Sequence, residues 1–155
     1  MKVSGAWIEA RATQAVCAML TEGGYQAFFV GGCVRNALLG VPVGDVDIAT
    51  DARPDVVMEL ATAAGLKPVP TGIEHGTITV VSSHIGHEVT TFREDVQTFG
   101  RHAVVAFGTD IGTDARRRDF TMNALYARPD GSVVDPLGGL EDLRARRVRF
   151  IEDAE

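Results

Sequence analysis

The stretch FFVGGCVRNALLGVPVGDVDIAT, residues 28–50, decides how this chain is expected to fold. It opens with an apolar run that ends in two consecutive glycines, Gly31 and Gly32, and continues into the helix-like pattern CVRNALLG. It closes on DVDIAT, in which acidic and apolar residues alternate as they do in a strand with one buried face. The stretch therefore predicts a strand, a glycine turn, a helix and a second strand in succession.

The glycine turn has the chemical character of an anion site. The unpaired N–H groups at a helix N-terminus and the helix macrodipole both favour negative charge, and glycine lets a phosphate approach the backbone. Arg35 lies one turn into the predicted helix and can reach back to the same anion. The alternative is a strand-to-helix turn that binds nothing, and Gly31 and Gly32 taken alone favour that alternative.

The two aspartates in DVDIAT strengthen the case for a ligand. In a strand, Asp45 and Asp47 project to one side while Val46 and Ile48 face the core. Adjacent carboxylates repel each other, a divalent cation relieves the repulsion, and all-oxygen ligands suit Mg²⁺. A solvated strand end is the alternative for this pair alone. Together with the glycine turn, which precedes it by the twelve residues 33–44, the pair predicts a nucleoside triphosphate with magnesium.

The remaining sequence predicts a mixed α/β (α+β) domain without the regular alternation of a doubly wound sheet. The expected helices are 7–22, 33–40, 53–65 and 115–127, with a helix running into a strand over 138–151. The expected strands are 25–30, 45–50, 76–83 and 87–93, with a short strand or turn over 131–136. A tight turn near Ile85 and Gly86 joins two of these strands, and a mobile loop is predicted over 94–114.

Composition narrows the class of protein. A chain of 155 residues with 45% apolar and 23% charged residues suits one globular domain with a sizeable core. It contains no uninterrupted apolar run of about 18 residues, so no membrane span is expected. The N-terminal residues lack the apolar stretch of a signal peptide, so a cytoplasmic location is the expectation. The net charge of −6 argues against a protein that coats nucleic acid.

Four segments, in order, resemble one family of enzymes. GGCVRNALLG with DVDIAT, HEVTTFREDV with GRHAVV, RRRDFTMNAL, and DPLGGLEDLRARRVRFI are similar to motifs of the nucleotidyltransferase superfamily. The nearest resemblance is to the bacterial-type CCA-adding tRNA nucleotidyltransferases and the related poly(A) polymerases. It extends from about Phe28 to about Ile151. It implies a nucleotidyltransferase (polymerase-β-like) fold, a small mixed sheet flanked by helices with the active site on its open face.

The resemblance also implies roles for particular residues. Asp45 and Asp47 correspond to the catalytic metal ligands, and Glu88 falls on the adjacent strand, where related enzymes often carry a third carboxylate. Gly32, next to Gly31, and Arg35 match positions that hold the triphosphate. The implied cofactor is Mg²⁺.

Arg118 matches an arginine that contacts the nucleotide in the same family. Its neighbour Asp119 can orient it through a paired fork, the arrangement that holds an arginine ready for a phosphate. Asn123 follows Asp119 by four residues, one helical turn, and can join the network. One departure stands beside Arg35, because Asn36 occupies a position where the family usually has an aspartate.

The expected function follows from this resemblance. Residues 1–155 are expected to be the catalytic head domain, without the neck, body and tail of the family. The reaction is magnesium-dependent transfer of a nucleotide from a triphosphate, ATP or CTP, to an RNA 3′-hydroxyl, in the parent enzyme the tRNA 3′ end. Two alternatives stay open: a nucleotide-binding module without effective turnover, and the head of a poly(A) polymerase.

Overall fold

The computed structural model describes residues 2–73, 76–98, 102–107, 111–116, 118 and 123–144. Their helices are α1 Ala6–Glu9, α2 Arg11–Glu22, α3 Gly32–Leu39, α4 Pro54–Ala63, α5 Ile111–Arg116 and α6 Gly139–Arg144. Their strands are β1 Phe28–Val30, β2 Asp47–Thr50, β3 Lys67–Gly72, β4 Thr77–Ser82, β5 Ile85–Thr91, β6 Arg93–Thr98, β7 His102–Phe107, β8 Tyr126–Ala127 and β9 Val133–Val134.

Seven of these strands form one mixed sheet in the order β3-β4-β5-β2-β1-β8-β9. β2 and β5 run parallel, whereas the other neighbouring strands of the sheet pair antiparallel. The expected α/β architecture, a mixed sheet flanked by helices, is therefore confirmed. No helix in the described ranges is long and apolar enough to cross a membrane.

Alternation along the central strands divides the core into two clusters. One joins the sheet to helices α1, α2, α3, α4 and α6 and includes Phe29 and Ile48. The other lies on the opposite face and includes Phe28 and Ala49. Since side chains alternate along a strand, Asp47 on β2 lies on the face of Ala49. The prediction that Val46 and Ile48 face the core is confirmed.

The predicted strand–turn–helix–strand unit is present, with small changes at its ends. α3 begins at Gly32 and ends at Leu39, and the left-handed backbone of Gly40 (φ 71°, ψ 22°) closes the helix as a glycine cap. β2 begins only at Asp47, so Asp45 stands in a bend before the strand rather than within it. The single helix predicted over 7–22 is divided at Ala10, where the backbone is extended.

The prediction of a mobile loop over 94–114 is wrong for the part of it that the structure describes. β6 and β7 pair antiparallel, with Asp95 opposite Val105, and α5 starts at Ile111. A two-stranded ribbon is held by its backbone ladder and does not need the strict alternation of a strand that covers a core. Weak periodicity was therefore a poor guide to this segment.

Two other predictions need correction. The helix expected over 115–127 is wrong for most of its described residues. α5 ends at Arg116, Arg118 lies in a bend, and Tyr126 and Ala127 form a strand between β1 and β9, where pairing outweighs local helix preference. The tight turn expected near Ile85 and Gly86 lies at Ser83 and His84, which both have positive φ. β3, an edge strand that contains two prolines, was not anticipated from the sequence.

Candidate active site

A pair of carboxylates forms the centre of the candidate site. The parallel register of β2 and β5 places Asp47 directly opposite Glu88. Burial, reinforced by hydrogen bonding with and repulsion from Glu88, raises the pKa of Asp47 from 3.8 to about 7. The Oδ1 atom of Asp47 is buried and has no hydrogen-bond partner among the described residues. A buried carboxylate oxygen without a donor is an unfavourable arrangement that a bound cation would relieve.

Asp45 lies outside this pair but within its electrostatic range. It is exposed and stands two residues before Asp47, whose pKa its charge helps to raise. The described residues contain no group of three or more carboxylate, imidazole or thiol side chains arranged to hold a metal ion. The donor set still fits magnesium, which commonly takes one or two carboxylates and completes its shell with water and substrate phosphates.

The glycine turn adjoins Asp47 from the neighbouring strand. β1 and β2 pair antiparallel, with Phe29 opposite Ile48, so the end of β1 and Gly31 lie beside Asp47. The first turn of α3 reaches the same place, since the Cys33 thiol lies 4.0 Å from the backbone oxygen of Asp47. Gly31 has φ 78° and ψ −133°, a backbone conformation that residues with a side chain rarely adopt.

Arg35 folds back over the glycine turn as predicted. Its Nη2 atom lies 3.4 Å from the position that a Cβ on Gly32 would occupy. Its Nη1 atom donates a hydrogen bond to Oδ1 of Asn123, 2.8 Å away. Arg35 and Asn123, predicted to lie near one ligand, are thus in direct contact, whereas the sequence joined Asn123 to Asp119.

Asn36 links Arg35 to the loop that carries Asp45. Arg35 Nε donates to Asn36 Oδ1 at 3.2 Å, and Asn36 Nδ2 donates to the backbone oxygen of Pro42 at 3.2 Å. The backbone N–H of Val41 also donates to the Asn36 carbonyl. The hydrogen bond to Pro42 requires a donor, which the aspartate usual in the resembled family cannot supply.

Arg118 is held by two residues that the sequence interpretation missed. Its Nη2 atom donates to Oδ2 of Asp114 at 3.1 Å, and its Nε atom donates to the Tyr126 hydroxyl at 3.1 Å. The sequence pointed instead to Asp119, which lies outside the described residues. The four-residue spacing from Asp114 to Arg118 was a usable signal, whereas no local pattern joins Tyr126 to either of them.

The site therefore draws on four adjacent strands of the sheet. From one side to the other these are β8 with Tyr126, β1 with the glycine turn after it, β2 with Asp47, and β5 with Glu88. Arg118 lies close enough to Asp47 for its positive charge to oppose the rise in the pKa of that carboxyl. Carboxylates, a glycine turn and two arginines thus lie close together on these four central strands and the segments next to them, an arrangement suited to a metal ion and phosphates.

Two solved structures similar to this chain are a CCA-adding enzyme and a tRNA nucleotidyltransferase. The CCA-adding enzyme of Bacillus stearothermophilus in complex with CTP matches with a TM-score of 0.82 at 41% identity, over 94% of this chain and 34% of that chain. A tRNA nucleotidyltransferase complexed with a primer tRNA and an incoming ATP analog matches with a TM-score of 0.70 at 30% identity. This match covers 88% of this chain and 39% of that chain. The chain has the nucleotidyltransferase fold.

The family follows from the sequence comparison. The model of the Poly A polymerase head domain matches residues 27–149, and the chain belongs to that family. The CCA-adding enzyme of Leuconostoc citreum is 42% identical over 157 residues, which cover 100% of this chain and 38% of the relative. The CCA-adding enzyme of Geobacillus thermodenitrificans is 44% identical over 138 residues, which cover 88% of this chain and 33% of the relative. The chain thus spans between 33% and 38% of the length of these relatives.

Proposed function

We propose that this chain is the catalytic head of an enzyme that transfers a nucleotide from a nucleoside triphosphate to an RNA 3′-hydroxyl. Addition or repair of CCA at the tRNA 3′ end is the reaction proposed for the parent enzyme, in the cytoplasm, where its tRNA substrate is used. The names of the similar proteins support the class of reaction. The observation that carries the proposal is the buried, unpartnered Oδ1 of Asp47, beside Glu88 and next to the glycine turn.

Asp45 and Asp47 are the proposed magnesium ligands, with Glu88 as the third carboxylate. Bound Mg²⁺ supplies activation of the attacking hydroxyl and neutralises charge on the pyrophosphate leaving group. Asp47 provides the anchor, because its position is fixed by strand pairing on both sides of β2. Asp45 stands in a bend before that strand and adjusts more readily to a ligand.

The remaining residues hold the triphosphate. Gly31 and Gly32 let phosphate oxygens approach the backbone at the start of α3, where the macrodipole favours negative charge. Arg35 and Arg118 spread the charge of the phosphates. Asn123 fixes Arg35 through the 2.8 Å hydrogen bond, and Asp119 remains a proposed second partner for Arg118.

A nucleotide-binding module without effective turnover is the second candidate for the chain by itself. The net charge of −6 favours it, because an RNA-holding surface needs clustered positive charge. In that case the chain binds magnesium and triphosphate but extends an RNA primer only beside further domains. The head of a poly(A) polymerase is a variant of the main proposal with the same site and a different RNA.

Calorimetric titration of the chain with ATP and CTP, with and without Mg²⁺, tests the proposal. We expect magnesium-dependent binding that is lost in Asp47→Ala and retained in Glu59→Ala, which removes an exposed carboxylate on α4 as a control. Incubation with labelled CTP and a tRNA that lacks its 3′ end then separates the two candidates, because only the transferase extends the RNA. Unchanged magnesium–ATP affinity in Asp47→Ala would show that the carboxylate pair is not the site.

A further inference from the structure

The side chains of Asp114, Arg118 and Tyr126 contact one another. The Tyr126 hydroxyl donates to Oδ2 of Asp114 at 2.6 Å, and Arg118 Nη2 donates to the same oxygen at 3.1 Å. Arg118 Nε donates to the Tyr126 hydroxyl oxygen at 3.1 Å. Each residue therefore contacts the other two, and we call the three the Arg118 clamp.

The clamp is buried, and burial of charge has a cost. The Asp114 side chain is 1% exposed and that of Arg118 18% exposed. Desolvation of such a pair offsets much of its attraction, so a buried ion pair is weak evidence of a contribution to stability. The Tyr126 hydroxyl is also not needed for packing, because the ring by itself packs edge-on against Phe28, with centroids 6.2 Å apart.

The geometry explains what the hydroxyl adds. A single contact between Nη2 and a carboxylate oxygen lets a guanidinium rotate about that contact. A second contact through Nε fixes the plane of the group, because Nε and Nη2 lie on one edge of the rigid fork. Tyrosine can supply this contact because its hydroxyl accepts from Arg118 while it donates to Asp114. The other edge of the fork, formed by Nη1 and Nη2, is the edge that can make a bidentate contact with a phosphate.

The clamp also connects helix α5 to strand β8. Asp114 belongs to α5, whereas Tyr126 belongs to β8, where it is wholly buried and pairs with Val30 at the end of β1. The guanidinium is thereby tied to the strand that leads into the glycine turn. Its orientation relative to that turn is set by the sheet.

We infer that Asp114 and Tyr126 are positioning residues, which fix the plane of the Arg118 guanidinium so that it meets the triphosphate in one orientation. The inference rests on the proposed function, in which Arg118 contacts the triphosphate. It adds the claim that two residues outside the RRRD motif determine how well that contact is made.

A double-mutant cycle between Tyr126 and Arg118 tests the inference, with magnesium–ATP affinity as the readout. Tyr126→Phe keeps the ring and removes the hydroxyl, and we expect the affinity to fall about three- to tenfold, the scale of one typical hydrogen bond. In an Arg118→Ala background the same change is expected to cause no further loss. Tyr25→Phe, which alters the only other tyrosine, is the matched control and is expected to leave affinity unchanged.

The cycle distinguishes a positioning role from a merely structural one. Thermal unfolding of each variant establishes that it is folded, and Asp114→Asn, expected to give the same pattern, serves if Tyr126→Phe does not fold. An equal loss of affinity from Tyr126→Phe in both backgrounds, or no loss in either while Arg118→Ala weakens binding, would overturn the inference alone. Unchanged affinity in Arg118→Ala would overturn the inference together with the nucleotide contact assigned to Arg118.

Discussion

Substitution of Gly32 by alanine is expected to stabilise the folded protein and to weaken triphosphate binding at the same time. Gly32 is the first residue of α3 and, unlike Gly31, is not among the glycines with positive φ. Among the described residues, a Cβ at Gly32 would meet one atom within 4 Å, the Nη2 of Arg35 at 3.4 Å. The methyl group therefore causes no backbone strain and points into the space proposed for a phosphate.

The two effects have different sizes and opposite signs. Replacement of glycine by alanine at an unstrained position raises the free energy of unfolding by about 0.4–1 kcal/mol, chiefly because the unfolded chain is less flexible. For a domain of this size that gain corresponds to a rise of roughly 1–4 °C in Tm. The methyl group also occupies the space proposed for the phosphate beside the Arg35 guanidinium, and we expect magnesium–ATP affinity to fall about tenfold, or ~1.4 kcal/mol.

Differential scanning fluorimetry and calorimetric titration measure the two effects on one sample. Gly31→Ala is the contrasting variant, because its φ of 78° and ψ of −133° impose a cost of about 1–3 kcal/mol on any side chain. Gly40→Ala, at the left-handed end of α3 and with open space around it, should lower stability and leave affinity unchanged. Wild-type affinity in a stabilised Gly32→Ala protein would refute the assignment of this turn to phosphate.

Three further substitutions test other parts of the site. Asp47→Asn is expected to raise the Tm of the metal-free protein. The pKa of Asp47 in the folded protein, about 7, lies above the ordinary value of 3.8, so ionisation of this carboxyl lowers stability increasingly as the pH rises from 3.8 to about 7. The gain in Tm should therefore be larger at pH 8 than at pH 5. An equal gain in Tm over the wild type at both pH values would show that ionisation of this carboxyl does not lower stability. Asn36→Asp removes the donor to the Pro42 carbonyl and should lower stability by about 0.5–1 kcal/mol in urea unfolding; a stabilised variant would contradict this. Arg118→Lys keeps the charge but loses the fork, so triphosphate affinity should fall by about 1–3 kcal/mol, whereas the exposed Arg116→Lys should cost little; equal effects would indicate only a diffuse basic surface.

Two features of the local geometry of the site were predictable from the strand and helix periods of the sequence. The inward direction of Ile48 and the backward reach of Arg35 follow from periods of two and of 3.6 residues. The contact between Asp47 and Glu88 does not, because a parallel pair depends on strand order rather than on local pattern. The resemblance to a known family, not the residue pattern, supplied that pairing.

The errors have a common physical origin. Tyr126 was assigned to a helix because its neighbours have helical spacing, yet its backbone is satisfied by β1 and β9 and its hydroxyl by Asp114. The pairing of Arg118 with Asp119 stays a prediction, but the sequence interpretation missed Asp114, one helical turn before Arg118, and Tyr126 on β8. For Tyr126, contacts between distant elements decided what local preference left open.

The parallel pairing of β2 with β5 has a consequence for how the carboxylate pair comes into existence. Parallel strands need a crossover connection, and here α4, β3 and β4 intervene between Asp47 and Glu88. The closure of so long a loop is entropically costly, so we expect the two carboxylates to meet only after β4 has paired with β5. A nascent chain then carries the acids apart and avoids their repulsion until the sheet is nearly complete. Magnesium affinity would thus develop late, as a property of the finished domain rather than of its parts.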